Sequence, residues 1–122
     1  MIGYLIVGTN DLPRAAAYYD ALFALVGGAR MMGDDTFVAW TNGKAGAAFA
    51  VSKPFDGNTA TVGNGSMAAI SVATEDDVKA VYAKAIELGG TDEGEPGPRG
   101  DNFYAGYFRD LDGNKLNVYL AP

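Results

Sequence analysis

Apolar residues in the first part of the chain change from a strand-like to a helix-like spacing. Residues 2–8 form an apolar, β-branched run that is typical of a strand. Asn10-Asp11 and Pro13 then supply a helix cap and a first-turn proline. From Leu12 to Val26 the apolar side chains recur every three or four positions, and a glycine pair follows at 27 and 28. The pattern predicts a strand followed by a helix that packs one face on a sheet.

Three short strands are predicted after this helix. They span 29–32, 35–40 and 45–51, and Asn42-Gly43 before the last one favours a tight hairpin because this pair tolerates positive φ angles. Residues 54–65 are rich in Gly, Asn, Thr and Pro and have little periodicity, which is typical of a connector. The first part of the chain therefore has the order β-α-β-β-β.

The same order of parts then repeats. A strand is predicted at 67–73, and Thr74-x-x-Asp77 forms a capping box ahead of a second amphipathic helix that Gly89-Gly90 ends. Further strands are predicted at 91–93, 102–109 and 115–120, with a Pro-Gly-Pro-Arg loop at 96–99. Internal repetition is the strongest organisational signal in this sequence.

The repeat predicts one α+β domain of two βαβββ units. Unit one is expected at 1–53, the connector at 54–65 and unit two at 66–122. A half of about sixty residues buries too little surface to be comfortably stable alone. We therefore expect the strands to associate into one curved, cup-like mixed sheet with the helices on the outside.

Composition and charge narrow the chemistry. The chain of 122 residues has no cysteine and no histidine, which excludes thiolate sites, Ser-His-Asp triads and imidazole metal sites. Its formal net charge of −6 argues against nucleic acid and anionic membranes as partners. The first residues lack the basic segment of a signal peptide and are too few for a membrane span, so a cytoplasmic location is expected.

The hairpin that runs from Tyr107 to Leu116 resembles the closing hairpin of the vicinal oxygen chelate superfamily, which includes glyoxalase I, bleomycin-resistance proteins and extradiol dioxygenases. The helix entry at 11–15 and Gly63-Asn64-Gly65 before the fifth strand are also similar to that family. The resemblance covers nearly the whole chain and implies paired βαβββ units around a cup.

In metal-bearing members of that family, the first and last strands of each unit supply the ligands. The positions that the resemblance matches to them are Tyr4, Met67, Ala47 and Asn117. A phenol, a thioether, a methyl group and a carboxamide do not provide the imidazole or carboxylate ligands that divalent metals require. We therefore expect no metal ion and no other cofactor.

Strand alternation places several aromatic, thioether and amide side chains on or beside the faces expected to line the cup. Each also has an ordinary explanation, since methionine fills gaps in cores and aromatic residues are common in strands. The candidates for ligand contact are Tyr4, Trp40, Met67, Tyr104, Tyr107 and Asn117.

Three functions fit these expectations. The first is a metal-independent small-molecule binding protein of the glyoxalase/bleomycin-resistance type, a homodimer that holds an organic ligand in the cup; the acidic balance is compatible with a cationic ligand. The second is a glyoxalase- or dioxygenase-related enzyme, a lyase or isomerase, that acts without histidine ligands and uses Tyr4 as acid or base. The third is a scaffold whose cup is packed shut.

Overall fold

The computed structural model describes residues 1–43 and 46–122, and in them the chain builds one order of elements twice. The first set is β1 (Tyr4–Gly8), α1 (Leu12–Ala24), β2 (Ala29–Gly33), β3 (Phe37–Thr41) and β4 (Ala48–Ser52). The second set is β5 (Ala68–Val72), α2 (Glu75–Glu87), β6 (Thr91–Pro98), β7 (Tyr104–Arg109) and β8 (Lys115–Leu120). The predicted α+β class with two βαβββ units is confirmed.

The chain divides into two units, Met1–Val62 and Gly63–Pro122. Most of the segment that the sequence marks as a connector therefore lies in unit one. Asn10 holds this segment, because its Nδ2 donates to the carbonyl oxygen of Ala60 at 3.1 Å and its Oδ1 accepts from the amide of Ala60 at 2.7 Å. The composition of this segment, rich in Gly and Asn, predicts an irregular connector. It could not show that Asn10 anchors the segment.

Both helices begin at the predicted caps. The side chain of Asp11 accepts a hydrogen bond from the amide of Arg14 at 3.1 Å, and that of Thr74 accepts from the amide of Asp77 at 3.1 Å. These bonds satisfy amide groups that have no partner inside the helix. Neither helix of the described residues is long and apolar enough to cross a membrane.

Each unit contains one four-stranded mixed sheet with the same pairing. The strand order is β1-β4-β3-β2 in unit one and β5-β8-β7-β6 in unit two. In each sheet the first strand runs parallel to the last, and the other neighbours are antiparallel. The first and last strands of a unit thus lie side by side, and the repeat in the sequence is matched by a repeat in strand pairing.

The core of unit one lies between α1 and its sheet. Tyr19 and Phe23 of α1 pack against Trp40 of β3 and Phe49 of β4, with ring centroids 4.7 to 5.8 Å apart. Aromatic pairs at these distances stabilise a core beyond the area that they bury. The three-four spacing of the helix therefore places its stripe as predicted.

The core of unit two is mainly aliphatic, with Phe108 as its large aromatic side chain, whereas that of unit one is mainly aromatic. Helix α2 packs on the sheet of β6, β7 and β8. Its fully buried side chains are Val78, Val81 and Ala85, and the sheet contributes Phe108, Leu116 and Val118, each at most 1 % exposed. Burial of each larger side chain is worth roughly 1.5–3 kcal/mol.

Two connections differ from the sequence prediction. The link between β3 and β4 spans 42–47, which is longer than the tight hairpin expected at Asn42-Gly43; Lys44 and Ala45, part of this link and of the predicted strand 45–51, lie outside the described residues. In unit two, β6 continues through the predicted loop at 96–99 as far as Pro98. It does so with register shifts after Asp92 and Gly94, which an edge strand with prolines tolerates.

Candidate ligand-binding face

Each sheet has a side that its helix covers and an opposite side, which we term the open face. In unit one Phe49 points to the helix because it packs on Tyr19. Leu5 is the cross-strand partner of Phe49, so its neighbours Tyr4 and Ile6 lie on the open face. In unit two Gly106 points to the helix, since a Cβ there would lie 3.3 Å from the ring of Tyr82.

The centre of the open face in unit two is a cross-strand row around Asn117. Asn117 of β8 pairs with Ala69 of β5 on one side and with Tyr107 of β7 on the other. Alternation from Gly106 places Tyr107 and its partners opposite the helix. The structure therefore brings together Tyr107 and Asn117, two of the side chains that the sequence singles out.

The amide of Asn117 is the one feature of this row that the protein does not satisfy. Its side chain is 1 % exposed, and its Oδ1 has no hydrogen-bond partner among the described residues. Buried polar atoms almost always have a partner, and leaving one without costs roughly 1–3 kcal/mol. Because this oxygen is closed to solvent, a hydroxyl or N–H group of a bound molecule reaches it only when a neighbouring side chain moves aside.

Two cationic groups lie beside Tyr107. The guanidinium carbon of Arg99 is 5.4 Å from the ring centroid, and the Nζ of Lys115 is 5.7 Å from it. Both distances are within the range of a cation–π contact. The ring thus holds two positive charges next to the buried amide.

Arg99 is fixed in this position by the backbone of β6. Its Nη2 donates to the carbonyl oxygen of Glu95 at 2.7 Å, and its Nη1 contacts that of Pro98 at 3.3 Å. Gly94 and Gly97 leave the necessary room, since a Cβ at either position would lie 3.1 or 3.3 Å from the guanidinium nitrogens. The backbone of the Gly/Pro-rich segment therefore packs against the side chain of Arg99 and holds it in place.

A third cation on the open face is neutralised. The Nε of Arg109 donates to a carboxylate oxygen of Glu93 at 2.7 Å, and its Nη1 donates to the carbonyl oxygen of Gly113 at 3.0 Å. The hydrogen bond from Arg109 lowers the pKa of Glu93 below its ordinary value, with a further contribution from the charge of Lys115. Arg109 thus stabilises the closing hairpin.

An aromatic pair borders the same face on the other side of Asn117. The rings of Phe103 and Tyr119 are stacked, with centroids 5.5 Å apart. Tyr119 pairs with Ser71 and Ala105, two small residues. Aromatic borders, small neighbours and a few polar groups are the usual composition of a small-molecule site.

Trp40 does not lie on an open face. It is 2 % exposed, and its Nε1 donates to the carboxylate of Asp20 on α1 at 2.9 Å. Arg30 also binds this carboxylate, at 2.9 and 2.7 Å, and its hydrogen bonds lower the pKa of Asp20 most, with a smaller contribution from Trp40. Trp40 therefore joins α1 to the sheet. The sequence could not show this placement, because alternation shows which residues share a face but not which face the helix covers.

The other candidates differ in their placement. Tyr104 is two positions from Gly106 on β7, so alternation places it on the helix side and not with Tyr107. Met67 lies just before β5, two positions from Ala69, so alternation places it on the open face of unit two; it is 44 % exposed. Tyr4 lies on the open face of unit one and is 68 % exposed. Lys115 and Arg99 were not among the candidates. Lys115 lies on the same face of β8 as Asn117, so strand alternation could have identified it as a candidate. The position of Arg99, in contrast, depends on the shifted register of β6.

The residues at the family's ligand positions do not fit a divalent metal. No group of three or more acidic, histidine or cysteine side chains that could hold a metal occurs in residues 1–43 and 46–122. The ladders pair Ile6 with Ala50 as they pair Ala69 with Asn117, so the unit-one counterpart of Asn117 is Ala50 and not Ala47. A methyl group at either position leaves the donor set without a carboxylate.

Comparison with known proteins agrees with this architecture. The chain resembles a crystal structure of a glyoxalase/bleomycin resistance protein from Albidiferax ferrireducens, with 32% identity, a TM-score of 0.91, and coverage of 100% of this chain and 99% of that chain. A glyoxalase-related enzyme from Fulvimarina pelagi (19% identity, TM-score 0.80, 100% and 88% covered) shares the fold. So does a lactoylglutathione lyase from Agrobacterium tumefaciens (17% identity, TM-score 0.74, 99% and 93% covered).

No curated protein matches the sequence. The family model for the glyoxalase/bleomycin resistance protein/dioxygenase superfamily, by contrast, matches residues 1–118. That match spans both βαβββ units and the closing hairpin. The chain therefore belongs to the glyoxalase/bleomycin resistance protein/dioxygenase superfamily.

Proposed function

We propose that the chain is a metal-independent small-molecule binding protein that holds an organic ligand on the open face of unit two. The observation that carries this proposal is the Oδ1 of Asn117, which is buried without a hydrogen-bond partner in the described residues. A ligand hydroxyl or N–H group bound there would offset the cost of that buried oxygen. Tyr107, Lys115 and the exposed thioether of Met67 would supply the surrounding contacts.

Metal independence is part of the proposal because the donor set is wrong for a metal. Tyr4, Met67 and Asn117 offer a phenol, a thioether and an amide, while hard divalent cations prefer carboxylates and softer ones prefer imidazole or thiolate. A carboxamide in place of a carboxylate also removes the negative charge that would bind the ion. Ligand recognition is therefore assigned to the hydrogen-bonding and charged side chains themselves.

Catalysis by Tyr4 is not favoured by any observation. Its side chain is 68 % exposed at the start of β1, so water surrounds most of the phenol. A general acid or base works best where it is held next to the reacting group and shielded from water. We therefore leave Tyr4 outside the proposed site.

A homodimer remains part of the proposal. Several large apolar side chains of unit one are exposed, among them Ile2, Ile6 and Met32. Apolar side chains concentrated on one side of a small protein are typical of a surface that another protein covers. Multi-angle light scattering tests this directly, and a monomeric mass at tens of micromolar would contradict it.

The cytoplasm is the proposed location, because a chain without cysteine has no disulfide to form in an oxidising compartment.

The deciding experiment combines a thermal-shift screen with the variant Asn117→Leu. We expect organic compounds, and not Ni²⁺, Zn²⁺, Mn²⁺ or Fe²⁺, to raise the melting temperature, since a ligand that binds only the folded state stabilises it. Asn117→Leu should abolish that shift and also raise the free energy of unfolding by about 1 kcal/mol, because it removes an unsatisfied buried oxygen at similar volume. A gain in stability with a loss of binding separates a binding role from a structural one.

Asn102→Leu is the matched control, since Asn102 is exposed in the loop before β7. It should leave both the ligand shift and the stability within about 0.5 kcal/mol. Stabilisation of the natural chain by a metal would overturn metal independence. A loss of stability in Asn117→Leu without any ligand effect would assign the amide to the core.

A further inference from the structure

We propose that the open face of unit two selects ligands by negative charge, and that its ligand is a small organic anion that also carries a hydroxyl or N–H group. This inference rests on the function proposed above and names the class of molecule that the face would take. It differs from the cationic ligand with which the acidic net charge is compatible. The argument depends on Lys115, Arg99 and Asn117.

Among the described residues Lys115 forms no close ion pair, although its charge acts on the carboxylate of Glu93. It is half-buried on β8, its Nζ lies 5.7 Å from the Tyr107 centroid, and no carboxylate of the described residues lies within 4.0 Å of it. An ammonium group that is partly removed from water without an ion pair is poorly compensated. An anion beside Lys115 would provide the missing charge.

Arg99 is prepared to bind an anion in the same place. It forms hydrogen bonds to the carbonyl oxygens of Glu95 and Pro98 but no ion pair within the described part of the chain. A guanidinium group has five N–H donors, so the two bonds to the backbone leave others available. Because the backbone already fixes the side chain, binding would cost little further conformational entropy.

The open face of unit two is cationic, although unit two as a whole is acidic. Unit two has five basic and ten acidic side chains, a net charge of 5 − 10 = −5. Three of the five basic groups, Arg99, Arg109 and Lys115, nevertheless lie on or beside the open face, where Glu93 alone is paired with one of them. The acidic residues of the α2 start, Glu75 to Asp77, lie on the helix instead. A cationic face on an acidic unit attracts anions at short range while the whole chain stays negative.

The spacing of the groups sets the size of the ligand. Lys115 and Asn117 are two positions apart on β8, and alternate residues of a strand are about 6.6 Å apart. A molecule with its anionic group at Lys115 and its hydrogen-bond donor at the Oδ1 of Asn117 therefore needs only a few atoms between them. Hydroxy acids, and phosphate monoesters that keep a free hydroxyl group, have these properties.

The test uses matched probes that differ only in charge. The probes are lactate with lactamide, and 3-hydroxybenzoate with 3-hydroxybenzamide, 3-hydroxybenzylamine and 3-hydroxyphenyl phosphate. Isothermal titration should show at least one anion binding about tenfold or more tightly than its neutral amide, the ratio expected of one charge-assisted hydrogen bond. Comparing the affinities of the two carboxylic acids with that of the phosphate ester shows whether a carboxylate or a phosphate group fits the site.

Variants assign that preference to its residues. Lys115→Met should lower the anion-to-amide ratio several-fold, while Lys79→Met, at an exposed position of α2, should leave it unchanged. Raising the salt concentration should lower the ratio as well, since exposed charges are screened. Circular dichroism melting of Lys115→Met shows whether the variant is folded, and Arg99→Gln provides a second route if it is not.

The outcomes separate this inference from the proposed function. Preference for the amine or the amide, with binding that Asn117→Leu abolishes, would overturn the anion assignment and keep the binding site. An anion preference that persists in both Lys115→Met and Arg99→Gln would also overturn it. If none of the probes nor any compound of the wider screen binds, both proposals fail.

Discussion

The two units share their element order and their strand pairing, yet their open faces differ in chemistry. Across the middle of the first open face the cross-strand row is apolar: Ile6, Ala50, Ala39 and Met32. The corresponding row of the second contains a buried amide and an aromatic ring flanked by cations: Ala69, Asn117, Tyr107 and Gly94. The helix sides, in contrast, are apolar in both units.

This contrast shows which part of the repeat the fold requires. The helix must bury an apolar stripe against a sheet, so the helix side of each strand has little freedom. The open face has no helix to satisfy, and its residues can change without affecting that packing. Unit two uses this freedom for polar and charged groups, while unit one keeps small and apolar ones.

The largest expected effects are on the helix sides, where the units should behave alike. Trp40→Ala in unit one and Phe108→Ala in unit two should each lower the free energy of unfolding by about 3–5 kcal/mol, because both remove a fully buried aromatic side chain. Tyr4→Ala, at an exposed position of the open face, should cost less than about 1 kcal/mol.

Urea denaturation followed by circular dichroism measures these three values, since Trp40 is the chain's single tryptophan and fluorescence would be lost with it. Should Trp40→Ala prove as mild as Tyr4→Ala, the equivalence of the helix sides would fail. Trp40 would then return to the candidates for ligand contact.

A smaller effect should follow from moving the amide to the other unit. Ala50 holds the register position of Asn117 and is 3 % exposed, so Ala50→Asn would bury an amide with no prepared partner. We expect a loss of about 2 kcal/mol from the desolvated amide and the added volume. The control is Ala48→Asn, on the same strand and face but partly exposed, which should cost clearly less. Equal stability of Ala50→Asn and the natural chain would show that both open faces accept polar groups.

The smallest effect is a difference in acid stability between two ion pairs. The folded pKa values of Asp20 and Glu93 are both lowered, mainly by hydrogen bonds from Arg30 and Arg109. A lowered folded pKa means that each carboxylate stabilises the fold above its unfolded pKa of about 4, and that this contribution is lost as the pH falls through the folded value. Both carboxylates are largely exposed, so solvent screening keeps their contributions small.

Asp20→Asn should therefore reduce the loss of stability between pH 7 and pH 3, and more so than Glu93→Gln, because Trp40 also donates to Asp20. Urea midpoints at the two pH values provide the measurement. A pH dependence that neither substitution alters would assign acid unfolding to other carboxylates.

The sequence predicts the repeat because helix caps, apolar stripes and glycine stops act locally. Asp11 and Thr74 begin their helices as expected, and the alternation of β8 correctly groups Lys115 with Asn117. What local patterns cannot supply is the side of the sheet that a helix chooses. Trp40 was assigned to ligand contact for this reason, although it packs under α1.

The position of Arg99 needed information of a different kind. Counting along a regular strand would not bring residue 99 next to Tyr107, because β6 changes register twice before its end. Gly94 lies at both shifts, and the carbonyl oxygen of the next residue, Glu95, accepts a hydrogen bond from Arg99. Asn10 likewise binds Ala60, which is fifty positions away along the chain. Patterns read over a short stretch of sequence cannot predict such a contact.

The irregular course of β6 also has a consequence for colloidal behaviour. β6 is an outer strand of its sheet, and a straight outer strand offers a row of amide and carbonyl groups on which strands of other molecules can grow. Pro96 and Pro98 lack amide hydrogens, and the register shifts break the row into short pieces. The segment that seats Arg99 therefore also protects this border of the protein from fibril-like stacking at high concentration.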